Sequence, residues 1–214
     1  MKILNLYAGI GGNRKLWGDE HEITAVENVP EIAKIYQDFF PKDKVIIADA
    51  HQYLLEHYKE FDFIWSSPPC PSHSRTNTFL HAQGLIRYPD MTLWQEIIFL
   101  KQWFKGKWVV ENVISYYEPF IRPQNLSRHY FWANFHIESK QNDYKATFNI
   151  TNSRGSTRHS TRDYVDKLEE YHKISLNNIK HSNKRLLLRN CVKPELGKHI
   201  LDCAFKNKQE VLKL

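Results

Sequence analysis

Two spacings of hydrophobic residues alternate along the chain: short apolar runs, and longer segments in which apolar residues recur every three or four positions. The apolar runs predict strands at 3–7, 23–27, 44–48, 61–66, 107–110 and 130–135. The helical spacing predicts helices at about 13–18, 30–40, 51–59, 91–104, 163–171 and 195–205. Strands alternating with helices predict an α/β fold with an open, mostly parallel, doubly wound sheet.

Two stretches follow neither spacing. Residues 72–88 are polar without a clear period, and we predict a mobile loop there. Residues 139–184 are rich in Asn, Ser, Thr, Arg and Lys, apart from the helical pattern at 163–171.

Glycine or polar motifs follow the first five predicted strands. In order they are Gly9–Gly12, Glu27, Asp49, Pro68-Pro69-Cys70 and Glu111-Asn112. Any one of them has an ordinary explanation, such as a helix cap or a tight turn. Ligands bind outside the carboxyl ends of the strands in such sheets, so five motifs at one edge predict a binding site.

Cys70 follows a buried strand and lies between prolines. Because Pro68, Pro69 and Pro71 restrict the backbone, the turn is stiff and would hold the thiol at a fixed point. The motif alone leaves open whether Cys70 is a nucleophile or a structural thiol.

The glycine turn departs from the dinucleotide-binding pattern G-x-G-x-x-G. Gly9 and Gly11 fit that pattern, but Arg14 stands at the third glycine position, which disfavours a nicotinamide or flavin enzyme. An acid at the end of strand two still suits a ribose diol. We therefore expect S-adenosylmethionine as cofactor, with Asp49 accepting from the adenine amino group.

Composition excludes some classes of protein. The 214 residues fit one α/β domain with a small addition. The sequence contains no run of eighteen apolar residues, so it predicts no membrane-spanning helix. An odd number of cysteines, three, is typical of a reducing cytoplasm, and we expect no cleavable signal. The +6 net charge falls within 139–189, where eleven Lys/Arg face five Asp/Glu, leaving nineteen of each elsewhere. This segment is either a polyanion-binding surface or a solvated basic flank.

Taken together, the motifs resemble those of the DNA cytosine-5 methyltransferases, in family order. The matching segments are Tyr7-Ala8-Gly9-Ile10-Gly11-Gly12, Glu27-Asn28, Pro68-Pro69-Cys70, Glu111-Asn112-Val113, Arg128-His129-Tyr130-Phe131 and Arg189-Asn190-Cys191-Val192-Lys193-Pro194-Glu195-Leu196. The chain departs from the family pattern at four positions, where Pro71 replaces Gln, Leu126 replaces Arg, Arg189 replaces Gly and Cys191 replaces Ala.

The resemblance implies a Rossmann-like methyltransferase fold and roles for individual residues. Cys70 would attack carbon 6 of a flipped cytosine, Glu111 would hold its N3 edge, and Arg128 would hold O2. The implied S-adenosylmethionine contacts are Tyr7, Ala8, Gly9, Gly11, Gly12, Glu27, Asn28, Asp49, Ala50, Pro68, Asn190 and Val192. The implied DNA contacts are Ser72, His73, Ser74, Arg75, Asn112, Arg154, Arg158 and Arg162. No metal is implied.

The same resemblance implies a division of the chain and a setting for it. We expect a catalytic and cofactor-binding domain over 1–138, a target-recognition region over 139–188, and a segment over 189–214 that returns to the catalytic domain. The expected partner is double-stranded DNA in the cytoplasm of a bacterium or its phage. So short a recognition region implies a short target site, or help from a second copy or a partner subunit.

The motifs also bear on three other functions. A zinc-dependent deaminase needs H-x-E before P-C-x-x-C, but His136-Ile137-Glu138 comes after Cys70, and Ser72 and His73 replace the second cysteine. A tRNA cytosine-5 methyltransferase shares all of the chemistry. A cofactor-binding partner subunit without activity is disfavoured by the presence together of Cys70, Glu111 and Arg128.

Overall fold

A computed structural model describes residues 1–139 and 161–206. Its strands are β1 (Lys2–Leu6), β2 (Glu22–Glu27), β3 (Lys44–Ile47), β4 (Phe63–Ser66), β5 (Lys107–Val113), β6 (Gln124–Leu126) and β7 (His129–Ala133). They form one sheet in the order β3-β2-β1-β4-β5-β7-β6. The first five strands are parallel, whereas β7 is antiparallel to both β5 and β6.

Helices cover both faces of this sheet, which confirms the doubly wound α/β prediction. They are α1 (Pro30–Phe39), α2 (Ala50–His57), α3 (Asn77–Ala82), α4 (Thr92–Trp103), α5 (Thr161–His172), α6 (Lys184–Arg189) and α7 (Pro194–Phe205). Alternate strand residues point to opposite faces. Phe63 and Trp65 therefore pack with α7, while Ile64 packs with α2 and α4.

The stretch 72–88 contains regular structure, contrary to the prediction of a loop. Helix α3 lies within this stretch. Two backbone hydrogen bonds join the residues before α3 to the segment after β5: Arg75 N donates to Ile114 O (3.3 Å), and Tyr116 N donates to His73 O (3.1 Å). A six-residue helix is too short to show a period in the sequence, which is why the pattern missed it.

Smaller differences concern elements that contribute few apolar residues. The predicted helix at 13–18 is one turn of 3-10 helix, Arg14–Leu16. Strand β6 and helix α6 have no predicted counterpart, because they span only three and six residues.

The described part of the basic segment packs against the sheet domain. Leu168 of α5 and Leu188 of α6 share a buried cluster with Ile10 of the glycine turn and Ile35 of α1. Arg154 and Arg158 lie outside the described residues. Within 1–139 and 161–206, no helix is long and apolar enough to cross a membrane.

Candidate active site

A cleft of about 390 Å³ opens at the carboxyl ends of the parallel strands. Twelve of the predicted site residues line it: Tyr7, Ala8, Gly9, Gly12, Glu27, Asn28, Pro68, Cys70, Glu111, Asn112, Asn190 and Val192. The glycine turn, the proline–cysteine turn, the end of β5 and the segment after α6 thus meet at one place. The motifs are far apart in sequence, and the parallel topology brings them together.

The three glycines of the turn are needed for different reasons. Gly9 has φ +54°, and a Cβ there would meet nothing within 4 Å, so its surroundings are open. At Gly12 a Cβ would lie 2.7 Å from the Val192 carbonyl oxygen, so this glycine lets the segment after α6 approach. At Gly11 a Cβ would collide with the ring of Phe40, which makes it a packing requirement.

Glu27 is a buried acid at the end of β2, 8% exposed. Its Oε2 accepts from Gly9 N and its Oε1 accepts from Val29 N, both at 3.0 Å. These two bonds fix the carboxylate at the wall of the cleft, and each oxygen keeps a lone pair for a further donor. Ribose hydroxyls are such donors, and the open space at Gly9 leaves room for the rest of a nucleoside, so these residues fit S-adenosylmethionine.

Asp49 and Ala50 do not line the cleft. Asp49 Oδ1 caps α2 by accepting from Gln52 N at 2.8 Å, and Ala50 is buried in the core. The sequence left open whether Asp49 was a helix cap or a ligand, and the cap exists. The contacts with the cofactor that we expected from these two residues stay predictions.

The turn carrying Cys70 is fixed by side chains from three other segments. Asn112 Nδ2 donates to Pro68 O at 3.0 Å, and Asn112 is 1% exposed. Asn77 Nδ2 of α3 and Arg87 Nη1 both donate to Pro71 O, at 2.9 and 3.2 Å. The stiffness predicted from the prolines is therefore supplemented by three hydrogen bonds.

Electrostatics keep the Cys70 thiol protonated in the free protein. Burial raises its pKa to about 11, the negative charge of Glu111 adds to the rise, and Arg189 opposes it. Only a thiolate is a strong nucleophile. A reaction at Cys70 therefore requires its proton to be removed once a substrate is bound.

Glu111 lies on β5 with 8% exposure, and burial raises its pKa to about 7. A hydrogen bond with the Ser67 side chain and the charge of Arg128 limit the rise. Ser67 Oγ in turn accepts from Trp65 Nε1 at 2.8 Å. A carboxyl group with a pKa near 7 can hold or release a proton at neutral pH, which suits a general acid or base.

Arg128 lies beside the cleft and is not among the residues that line it. Together with Ser127, which has φ +59°, it forms the turn between β6 and β7. It is half-buried, and burial lowers its pKa, against the opposing influence of Tyr171, Tyr164 and Glu111. The predicted contact with a cytosine stays a prediction and would require the side chain to reach over the rim.

The residues after Cys70 differ in exposure. Arg75 is exposed, Ser72 and Ser74 are partly buried, and His73 is only 1% exposed with its Nδ1 2.6 Å from the Tyr117 hydroxyl. Because His73 is enclosed by protein, its position does not favour the DNA contact expected of it. Arg162 is exposed on α5.

The comparisons with known proteins agree with this geometry. The model of the C-5 cytosine-specific DNA methylase family matches residues 1–155. The chain belongs to this family.

Individual relatives are more distant. The tRNA (cytosine(38)-C(5))-methyltransferase of Spodoptera frugiperda is 31% identical over 106 residues, 42% of this chain and 32% of that relative. The chain thus spans about a third of the length of the curated relative it matches. Among solved structures, the Entamoeba histolytica methyltransferase EhMeth has a TM-score of 0.56 at 12% identity, covering 100% of this chain and 99% of that one. This likeness confirms the methyltransferase fold.

The residues that line the cleft without having been predicted as site residues include Ser67, His129 and Arg189. The sequence offered a signal for each of them, because Ser67 adjoins the Pro68-Pro69-Cys70 motif, His129 belongs to the arginine motif, and Arg189 replaces the glycine expected from the family. His129 Nδ1 lies 3.5 Å from Glu111 Oε1, and burial lowers the pKa of His129 to about 3, which keeps its ring neutral. In the part of the chain that the structure describes, no three His, Cys, Asp or Glu residues are grouped as a metal site.

Proposed function

We propose that this chain is a cytosine-5 methyltransferase that transfers a methyl group from S-adenosylmethionine to C5 of a flipped cytosine in DNA. The observation that carries the proposal is one cleft lined by Cys70, Glu111, Glu27 and the glycine turn. Membership of the C-5 cytosine-specific DNA methylase family supports it.

Cys70 acts as the nucleophile. Its thiol gives its proton to solvent, sulfur bonds to C6 of the cytosine while N3 takes a proton from Glu111, and C5 becomes nucleophilic enough to take a methyl group. The bound S-adenosylmethionine supplies that methyl group. Solvent then takes the C5 proton, its electron pair re-forms the C5–C6 double bond and expels Cys70 as the thiolate, and N3 returns its proton to Glu111, so that the ring regains its aromaticity.

Glu111 holds the N3 edge of the cytosine and supplies the proton that neutralises the ring during addition. A pKa of about 7 suits this role, because the carboxyl group is partly protonated at neutral pH. Its proton favours attack by Cys70 in a second way, since a neutral Glu111 no longer raises the pKa of the thiol. Arg128 reaches from the turn between β6 and β7 to hold O2.

Other residues at and around the cleft bind the cofactor and the nucleic acid. Glu27 accepts from the ribose hydroxyls, and Gly9 leaves space for the nucleoside. A base in a duplex must leave the stack to reach Cys70, at a cost of roughly a few kcal/mol. Arg75 and Arg162, which are both exposed, contact phosphates and offset part of that cost.

RNA is the second candidate substrate. The curated relative from Spodoptera frugiperda is named a tRNA methyltransferase, and its matched stretch covers 42% of this chain. Incubation with labelled S-adenosylmethionine and either duplex DNA or tRNA tests this directly. Incorporation into DNA supports the proposal, and incorporation into tRNA alone assigns the RNA substrate.

Covalent trapping tests the mechanism itself. Duplex DNA containing 5-fluorocytosine cannot lose the C5 substituent, so the adduct with Cys70 persists and migrates as a protein–DNA complex. We expect the complex with the natural chain and none with Cys70→Ala, while Cys203→Ala, which changes a thiol outside the cleft, still forms it. An adduct that survives in Cys70→Ala refutes the assignment of the nucleophile. No adduct and no methyl transfer on either nucleic acid would make the chain a cofactor-binding partner subunit without activity.

A further inference from the structure

A buried carboxylate outside the cleft accepts three hydrogen bonds. Glu96 of α4 is 0% exposed. Its Oε1 accepts from the Tyr7 hydroxyl at 2.6 Å and lies 3.1 Å from His51 Nδ1, and its Oε2 accepts from the Ser66 hydroxyl at 2.6 Å. Nothing in the mechanism above uses this residue, and it does not line the cleft.

The three donors come from the elements that form the site. Tyr7 directly follows β1 and begins the glycine turn. Ser66 ends β4, one residue before the turn that carries the nucleophile. His51 lies in the first turn of α2. One carboxylate thus contacts the elements that carry the cofactor-binding turn and the nucleophile.

Tyr7 needs such an anchor. Its φ of +54° lies in the left-handed region, which a bulky residue rarely adopts. The hydrogen bond to Glu96 fixes the end of the side chain whose backbone begins the glycine turn. Hydrogen bonds to a charged acceptor are stronger than neutral ones, and leaving either partner unpaired in the core is costly.

We propose that Glu96 is a positioning residue that holds the cofactor-binding turn and the nucleophile turn in their working geometry. The inference rests on the proposed function, because it assigns both turns to one reaction. Glu96 acts through Tyr7, Ser66 and His51, and touches no reacting atom.

Charges near this group make its effect depend on pH. The hydrogen bond and charge of Glu96 raise the pKa of His51, with smaller contributions from Asp49 and Asp90. Burial and Glu96 also raise the pKa of Tyr7. The ion pair between His51 and Glu96 is therefore complete below the ordinary pKa of histidine and is lost as pH rises through the raised value.

The test separates the two turns by removing one bond at a time. Tyr7→Phe removes the bond at the glycine turn and is expected to raise KM for S-adenosylmethionine more than it lowers kcat. Ser66→Ala removes the bond at the nucleophile turn and is expected to lower kcat and the rate of trapping on 5-fluorocytosine DNA. Glu96→Gln is expected to do both, by about 10-fold or more, because small displacements of reacting groups have large kinetic effects.

Controls distinguish positioning from simple support of the core. Gln95→Ala changes an exposed neighbour on α4 and should leave both constants unchanged. Adding Tyr7→Phe to Glu96→Gln should raise KM by less than Tyr7→Phe does in the natural chain, since Gln offers the Tyr7 hydroxyl only a neutral acceptor in place of a charged one. In the natural chain KM should rise with pH as His51 loses its proton, and His51→Gln should flatten that rise.

Two readouts do not depend on turnover: calorimetric binding of S-adenosylmethionine, and the alkylation rate of Cys70 measured by mass spectrometry of its peptide. If Glu96→Gln lowers thermal stability but leaves KM, kcat and both readouts at natural values, the inference is overturned. If Glu96→Gln does not fold, equal effects of Tyr7→Phe and Ser66→Ala on KM and kcat overturn it. If the natural chain methylates nothing, the proposed function fails, and the binding and alkylation measurements still decide the role of Glu96.

Discussion

Glu111 should make the stability of the protein depend on pH in a way that one substitution removes. Its pKa rises from 4.5 to about 7 on folding, because burial disfavours the charged carboxylate. A raised acid pKa means that the folded state binds the proton more tightly than the unfolded chain. The contribution of Glu111 protonation to the free energy of unfolding is therefore complete below pH 4.5 and is lost as pH rises to about 7. It changes no further above that pH.

The size of the effect follows from the shift. A change from 4.5 to about 7 corresponds to about 3 kcal/mol of unfolding free energy, lost mostly between pH 4.5 and about 7. Two neighbouring histidines act in the opposite direction. Burial lowers the pKa of His129 to about 3 and that of His172 to about 4, so their contribution to stability grows as pH rises towards the ordinary value near 6.5.

The difference in unfolding free energy between the natural chain and Glu111→Gln separates the contribution of Glu111 from that of these histidines. Urea denaturation of the natural chain and of Glu111→Gln should be followed at several pH values from 5 to 8. Because Gln cannot ionise, the variant should gain about 2–3 kcal/mol relative to the natural chain across this range. A difference that stays constant with pH would refute the burial argument for the raised pKa and remove a support for Glu111 as the proton donor.

Three further predictions use other parts of the site. Arg189→Ala removes a cation that lowers the pKa of Cys70, so alkylation of Cys70 should slow at pH 8 and its profile should move to higher pH; an unchanged profile contradicts this. Gly12→Ala brings a Cβ within 2.7 Å of Val192 O and should cost about 1–3 kcal/mol in urea denaturation, unless the segment after α6 moves away freely. Asp43→Asn breaks the buried pair with Arg14 (2.8 Å) and should destabilise by about 3–5 kcal/mol in the same assay; a loss below about 1 kcal/mol contradicts its burial.

The prediction for Asp43→Asn has a matched control in an ion pair on the surface. Lys42 and Asp19 form an ion pair at 2.9 Å, but their side chains are 74% and 66% exposed. Exposed pairs contribute roughly 0–1 kcal/mol, so Lys42→Ala should have little effect in the same denaturation experiment.

The strand ends could be predicted from the sequence because two independent signals coincide there. An apolar run predicts each buried strand, and a glycine, acid or proline directly follows it. Parallel topology then places all of these motifs at one edge, which is why Gly9, Glu27, Cys70 and Glu111 meet in the cleft. No knowledge of side-chain packing was needed for that step.

The position of Arg128 could not be predicted in the same way. It depends on the short strand β6 and on the left-handed backbone at Ser127. Strand β6 has only three residues, of which Leu126 alone is apolar, so no period reveals it. Asp49 shows a different limit, because an acid after a strand looks the same in sequence whether it caps the next helix or binds a ligand.

Several motif residues bind other motifs, which explains why the turns must be considered together. Asn112 donates to Pro68 O of the nucleophile turn, and Glu27 accepts from Gly9 N of the glycine turn. Gly12 admits the carbonyl of Val192 from the segment after α6. A substitution at one motif therefore displaces a neighbouring turn as well as its own. Loss of activity on mutating Asn112 would thus indicate a displaced Cys70 turn, and it would count as evidence of a nucleic-acid contact only if the alkylation rate of Cys70 were unchanged.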